Sequence, residues 1–357
     1  MIDNGRNVPM RWLSTLCLGS VCLLSCGDIS KPSAQEAPPH PAAQVANCAT
    51  RADVLGLSRI VEVDTSEGPL FGRGQKGGFD FLKDGEIVLT FDDGPSRSHT
   101  RNILKALAQH CTKATFFMVG RMAASDPAMV REVATAGHTI GSHTWSHAKL
   151  SSLTADKAEE EVELGLSAVA TALGAPVAPF FRFPYLRPNA AAVEYLKARH
   201  IASFMIDVDS RDFRTRDPAE VQKNVLTQLA GRHRGILLFH DIQPSTANAL
   251  PALLTELKKR GFKVVHMVPK QTAETLPEYD ARAAKLIAHK MQAASKEPLA
   301  PRSLTWQQSQ QSAGDDGTEV LPWAHQRNTS SQLSTGSTAS PTNEPATVPW
   351  YKKWFTP

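Results

Sequence analysis

From Gly85 to about Pro269 the chain alternates short apolar runs with helical patterns, and this alternation restricts the fold to a parallel α/β sheet, open or closed into a barrel. The strand candidates are Ile87–Phe91, Ala114–Val119, Thr139–Ser142, Phe180–Arg182, Ala202–Ile206, Gly235–Phe239 and Lys263–His266. Helical spacing is read between them at Thr100–Gln109, Pro127–Ala136, Ala155–Leu173, Ala190–Arg199, Pro218–Leu229 and Ala247–Arg260. The third of these carries Glu159 to Glu161 in its first half, which suits the helix dipole. In parallel sheets of this kind the loops at the carboxyl ends of the strands carry the chemistry.

At 357 residues the chain has room for one large domain or two, and a formal charge of +4 gives no sign of a nucleic-acid surface. Arg6 and Arg11 precede an apolar run from Trp12 to Leu24, too short for a comfortable membrane span, so residues 1–25 read as a signal peptide. Leu23-Leu24-Ser25-Cys26-Gly27 resembles the lipobox of bacterial lipoproteins, which implies an acylated Cys26 as membrane anchor; an ordinary secretion signal is the alternative. Residues 26–47, rich in Pro, Ala and Ser, read as a tether, and residues 48–84 as a Gly-rich lead-in that packs under the following domain. Of the five cysteines, Cys48 and Cys111 lie beyond the leader, either as a bridge or as two free thiols. The domain proper covers residues 85–270, and residues 271–298 form a helical extension over Glu278–Glu297. Residues 299–357 have a disordered composition with two echoes, Leu321-Pro322-Trp323 and Val348-Pro349-Trp350. These read as a solvated tail or as a docking segment for the envelope.

The most informative strand end is Thr90-Phe91-Asp92-Asp93-Gly94-Pro95. Two adjacent carboxylates repel unless their roles are separated, and a bound cation can do that by ligating one and leaving the other free as a base. A solvated turn capping the next helix is the bland alternative. His143-Thr144-Trp145-Ser146-His147 follows another strand. The spacing would place both rings on one face of a helical turn, within reach of one ion. With an Asp from the first strand end this makes a two-His, one-carboxylate site that leaves positions open for water and substrate. Phe180-Phe181-Arg182-Phe183-Pro184-Tyr185 delivers an arginine able to keep a nearby carboxylate ionised and oriented. Asp207 to Phe213 lies at a further strand end, and Gly235 to Asp241 is a buried strand ending on His240, which an acid could orient as a proton donor.

These five segments, in this order, resemble the polysaccharide deacetylase family (the NodB-homology domain, carbohydrate esterase family four). The resemblance implies a distorted (β/α) barrel of about seven parallel strands, with the metal site at their carboxyl ends. It implies Asp92 as base, Asp93, His143 and His147 as metal ligands, and Arg182 as the residue that orients the base. It further implies Tyr185 as backbone N–H donor to the oxyanion, Asp212 as the residue that orients the acid, and His240 as the acid. Tyr185, Phe213 and Trp145 would meet the sugar. The chain departs from the family in having Leu186 where Gly is usual after Pro-Tyr, which would strain the loop if that position needs a positive φ. It also has Phe213 where Trp is usual, which alters the groove floor.

The activity so implied is hydrolysis of an N-acetyl group on an acetylated polysaccharide, N-acetylglucosamine of peptidoglycan or a chitin-like oligosaccharide. It would use one divalent ion, zinc first, with cobalt, manganese or nickel also compatible with the donors. The expected address is extracytoplasmic, in the envelope or secreted, and the expected state is monomeric. Competing readings are an O-acetyl esterase acting on a glycan such as xylan, a non-catalytic glycan-binding lipoprotein, and a structural envelope protein working through its tail.

Overall fold

A computed structural model describes Cys48, residues 51–72 and residues 81–296. The leader with Cys26, the tether, and the tail with its two Pro-Trp echoes lie outside the described residues. Every paired strand is parallel. The strands are β1 (Arg59–Val63), β2 (Leu70–Phe71), β3 (Glu86–Asp92), β4 (Thr115–Met118) and β5 (Thr139–Ser142), then β6 (Phe180–Phe181), β7 (Ala202–Phe204), β8 (Val208–Asp209), β9 (Gly235–His240) and β10 (Lys263–Pro269). The helices are α1 (Arg97–Gln109), α2 (Gly120–Ser125), α3 (Pro127–Thr135), α4 (Ala155–Leu173), α5 (Ala190–Ala198), α6 (Pro218–Arg232), α7 (Pro244–Lys259) and α8 (Pro277–Lys296).

The sheet runs β2-β7-β6-β5-β4-β3-β9-β8, with β10 and β1 branching from the start of β3. This is the distorted barrel expected from the sequence. Three short strands, β1, β2 and β8, were not anticipated there. Two of them lie in the lead-in, which therefore extends the sheet at β10 and β7 rather than only packing beneath it.

Side-chain alternation along the strands sorts the sequence into two cores. On β3, Ile87, Leu89 and Phe91 face the outer helices, with Phe91 stacked on Phe116 and Phe239 at 5.0 and 5.4 Å. Val88 points the other way, into a cluster with Phe117, Phe180, Phe204 and Ile236. Thr90 and Asp92 share the parity of Val88, Arg182 that of Phe180, and His240 that of Ile236. The inward face thus changes from apolar to ionisable at the carboxyl ends of the strands.

Cys48 and Cys111 form a disulfide, which resolves the alternatives left by their sequence and ties the lead-in to the end of α1. The bridge spans a sequence separation of 63 residues. Loop-closure entropy for a loop of that size predicts a loss of up to about 4 kcal/mol in the Cys48→Ser, Cys111→Ser variant. Urea unfolding with and without reductant measures it: reductant should destabilise the native chain and leave the variant unchanged.

Candidate active site

Five strand ends converge at the mouth of the barrel. Asp92 is the last residue of β3, directly across from His240 on β9 in the parallel register. Asp93 follows at φ 77°, a left-handed conformation that aspartate tolerates better than most residues. It turns its carboxylate toward His143 and His147. Asp93 Oδ1 lies 3.5 Å from His143 Nε2 and 3.3 Å from His147 Nε2. One ligand atom from each of the three residues falls within 4.8 Å of the others.

The His143–His147 segment differs from expectation in its backbone. It is a loop rather than a helical turn, with Thr144 at φ 64° and His147 at φ 63°. Helix α4 supplies the reason. The Glu161 carbonyl accepts from Trp145 N at 2.8 Å, and the Glu161 carboxylate accepts from Ser146 N and Ser146 Oγ at 2.8 and 2.7 Å. The Thr144 and Trp145 carbonyls accept from Gly120 N and Arg121 N at the start of α2. These bonds draw the loop onto α4, where a Cβ on Gly165 would stand 2.4 Å from the Thr144 carbonyl carbon. The Trp145 ring packs among Gly120, Leu164 and Ala168, with the Arg121 guanidinium 5.9 Å from its centre.

The three donors suit a divalent cation. Asp93 Oδ1 is buried and has no hydrogen-bond partner among the described residues. His143 Nδ1 donates to the Arg182 carbonyl at 2.7 Å, which fixes the tautomer with a lone pair on Nε2, facing Asp93. Burial pushes the His143 pKa down to about 3, so the ring is neutral, as a ligand must be.

Asp92 and Arg182 form a buried pair, with Arg182 Nη1 donating to Asp92 Oδ1 at 2.8 Å and to Thr90 Oγ1 at 2.7 Å. The guanidinium is 0% exposed, lies 4.3 Å from the centre of the Phe117 ring, and donates from Nε to the Phe204 carbonyl. Burial raises the Asp92 pKa to about 6, with the Arg182 charge opposing the rise. Asp92 Oδ2 is left facing the ligand group, 3.9 Å from His143 Nε2.

His240 and Asp212 form a second pair. His240 Nδ1 lies 2.7 Å from Asp212 Oδ1, and the His240 backbone N–H donates to Asp212 Oδ2 at 2.7 Å. Ser245 and Thr246, at the start of α7, donate to the Asp212 carbonyl and to Oδ2. Burial works against a charged His240 ring, but the Asp212 carboxylate outweighs it and brings the pKa up to about 10.

Tyr185 and Phe213 stand on either side of this centre, 58% and 52% exposed. The Tyr185 ring meets the His147 ring edge-on at 4.6 Å, and the Phe213 ring meets His240 at 5.7 Å. The Tyr185 N–H donates to no group among the described residues. Tyr185 and Leu186 adopt φ 60° and 52°, so the position where the family usually has glycine does require a positive φ, and Leu186 carries the strain.

Sequence reading missed Glu161, whose loop clamp looks like an ordinary helix acid, and Asp241. The Asp241 carboxyl is buried under Gly94, accepts from Thr100 Oγ1 at 2.6 Å, and would lie 2.1 Å from a Cβ on Gly94. Gly94→Ala must therefore displace the Asp92-Asp93 loop or break the Thr100 bond. Because small misplacements of reacting groups are costly, acetate release should fall roughly tenfold or more, read alongside cation content.

The polysaccharide deacetylase family profile matches residues 82–202. A peptidoglycan-N-acetylglucosamine deacetylase of Bacillus cereus is 30% identical over 184 residues, which cover 50% of this chain and 84% of that protein. The chain belongs to the polysaccharide deacetylase family. A further member, the peptidoglycan-N-acetylglucosamine deacetylase PgdA of Listeria monocytogenes, is 37% identical over 183 residues, 50% of this chain and 37% of that relative's length. Among solved structures, a peptidoglycan deacetylase of Bdellovibrio bacteriovorus superposes with a TM-score of 0.56 at 36% identity, covering 62% of this chain and 61% of that one. This polysaccharide deacetylase chain thus spans only part of several relatives.

Proposed function

We propose that the chain is a metal-dependent deacetylase that hydrolyses N-acetyl groups of an envelope glycan, with peptidoglycan N-acetylglucosamine as first substrate. The observation that carries this reading is the Asp93, His143 and His147 donor group set between a carboxylate–arginine pair and a carboxylate–histidine pair. The names of the Bacillus cereus and Listeria monocytogenes relatives support the choice of glycan.

A divalent cation on these three donors, zinc first and cobalt, manganese or nickel as alternatives, would polarise the acetyl carbonyl and acidify water. Asp92 Oδ2 takes the proton of the attacking water, since Oδ1 is engaged by Arg182. The new C–O bond forms as the carbonyl electrons move to oxygen, where the Tyr185 N–H donates to the oxyanion. His240 Nε2 protonates the amine as the C–N bond breaks, because Nδ1 is engaged by Asp212. The products are acetate and a free amino sugar. Tyr185 and Phe213 flank the sugar as apolar walls. All these groups come from residues 85–270, the expected catalytic segment, so one chain supplies every group the reaction needs.

The disulfide and the leader support an extracytoplasmic address, with Cys26 as lipid anchor. No helix among the described residues is long and apolar enough to cross a membrane.

The test is acetate release from peptidoglycan, chitin oligomers and acetylated xylan, with and without chelator. Chelator-sensitive release from the first two is the expected result. Release from xylan alone would transfer the chain to the esterases, and no release from any substrate with the cation bound would end the hydrolase reading.

The two perturbed groups also set a pH profile. The base works above its pKa and the acid below its own, so kcat/KM should rise through about pH 6 as Asp92 ionises and fall toward pH 10 as His240 deprotonates. A bound cation lowers both limbs. A profile falling from pH 5 to pH 8 would contradict these assignments.

A further inference from the structure

Several arginines away from the mouth are held in ion pairs. Arg59, Arg97, Arg101 and Arg199 each meet a carboxylate at 2.6 to 2.8 Å. Arg211 and Arg214, on the loop that carries Phe213, are exposed, and among the described residues neither meets a carboxylate. Arg187, two residues beyond Tyr185, is exposed in the same way.

The acids on the Phe213 loop are already engaged. Asp212 is committed to His240, Asp217 caps α6 through Ala219 N, and Asp209 Oδ1 accepts from the Arg211 backbone N–H. Among the described residues neither guanidinium is therefore paired with a carboxylate of its own loop, and both are exposed to solvent. The loop also presents them in order. Arg211 has φ 54°, a conformation that L residues adopt at a cost and that functional sites commonly retain. The Arg214 N–H donates to the Arg211 carbonyl at 2.9 Å and closes the turn. The Arg214 guanidinium lies 5.4 Å from the Phe213 ring centre, and that ring in turn contacts His240. The Arg214 cation is thus two contacts from the proposed proton donor.

We infer that Arg211 and Arg214 form an anion subsite that selects glycans bearing carboxylate groups over neutral ones, with Arg187 adding charge on the Tyr185 loop. A planar guanidinium pairs with a carboxylate bidentately, and stacking on Phe213 reduces the freedom it must lose on binding. In peptidoglycan the attached peptide carries free carboxylates, whereas the lactyl ether of the neighbouring sugar carries one only where no peptide is joined to it as an amide, and either offers the same group to an arginine. The inference rests on the deacetylase reading.

The experiment compares wild type with the Arg211→Gln, Arg214→Gln double variant on three substrates: peptide-bearing peptidoglycan fragments, the same glycan after an amidase has removed the peptides, and a neutral N-acetylglucosamine oligomer. The ratio of kcat/KM on peptide-bearing to neutral glycan should fall about tenfold in the variant, mainly through KM. The wild-type ratio should decline with added salt, and the variant ratio should decline much less, since only Arg187 remains. A fall confined to the stripped glycan assigns the lactyl carboxylate, a fall confined to the peptide-bearing glycan assigns the peptide carboxylates, and a fall on both assigns a subsite that takes either. An unchanged ratio, or equal losses on charged and neutral substrates, would overturn the subsite. If wild type releases acetate from none of the three, the deacetylase reading fails separately. Co-sedimentation with intact sacculi then decides the subsite: binding lost in the variant supports it, and binding unchanged refutes it.

Discussion

Asp92→Asn should reduce acetate release by about 10²- to 10⁴-fold while the cation stays bound, the range expected when a general base is removed. The geometry separates the two effects. Asp92 Oδ1 is bonded to Arg182 and its Oδ2 stands 3.9 Å from His143 Nε2, whereas the three donors that converge belong to Asp93, His143 and His147. Asparagine keeps the shape and can still accept from Arg182, but it cannot take a proton. His240→Ala should give a loss of the same order, again with the cation retained, because His240 lies outside the donor group. The two variants are distinguishable by pH. Asp92→Asn should abolish the acidic limb of the profile, and His240→Ala the alkaline one. Cation content measured on the purified variants decides the matter: loss of the cation in Asp92→Asn would make Asp92 a ligand and remove it as base.

Arg182→Met is expected to cost about 3–5 kcal/mol of stability and most of the activity. The side chain is fully buried between Asp92, Thr90 and the Phe117 ring, so its removal leaves a buried carboxylate without its counter-charge. Burial already lifts Asp92 to about pH 6 against the pull of Arg182, and without the guanidinium it must rise further. The acidic limb of residual activity should therefore move to higher pH. A double variant separates stability from chemistry. Arg182→Met with Asp92→Asn removes both charges and should recover part of the lost stability in urea unfolding, yet none of the activity. If the double variant is as unstable as the sum of the two single changes, the pair is not coupled and the cost lies in packing alone.

What was legible from sequence was whatever repeats locally. The apolar run at Ile87–Phe91 and the long helix Ala155–Leu173 announce themselves through composition and period, and both appear where expected. The ionisable residues at strand ends were legible because a buried strand that stops on a charge is unusual. Two-residue strands such as Val208–Asp209 carry no period and exist through pairing with Leu237 and Leu238 on β9. The His143–His147 loop read as helical because its spacing fits a turn, but the ties from Glu161 on another element override that local preference. Asp241 gave no signal either, since its role depends on Thr100 and Gly94, which only the folded barrel brings next to it.

Arg182 reaches two parts of the site through different atoms, its carbonyl accepting from His143 Nδ1 and its side chain donating to Asp92. A small displacement of the β6 end therefore pulls on the proposed metal ligand His143 and the proposed base Asp92 together. The two bonds to a shared residue favour keeping the spacing between them, much as two instruments bolted to one rail stay aligned when the rail moves. Transplanting this chemistry into another barrel would accordingly mean moving this one residue with both of its contacts, since either contact taken alone would let ligand and base drift apart.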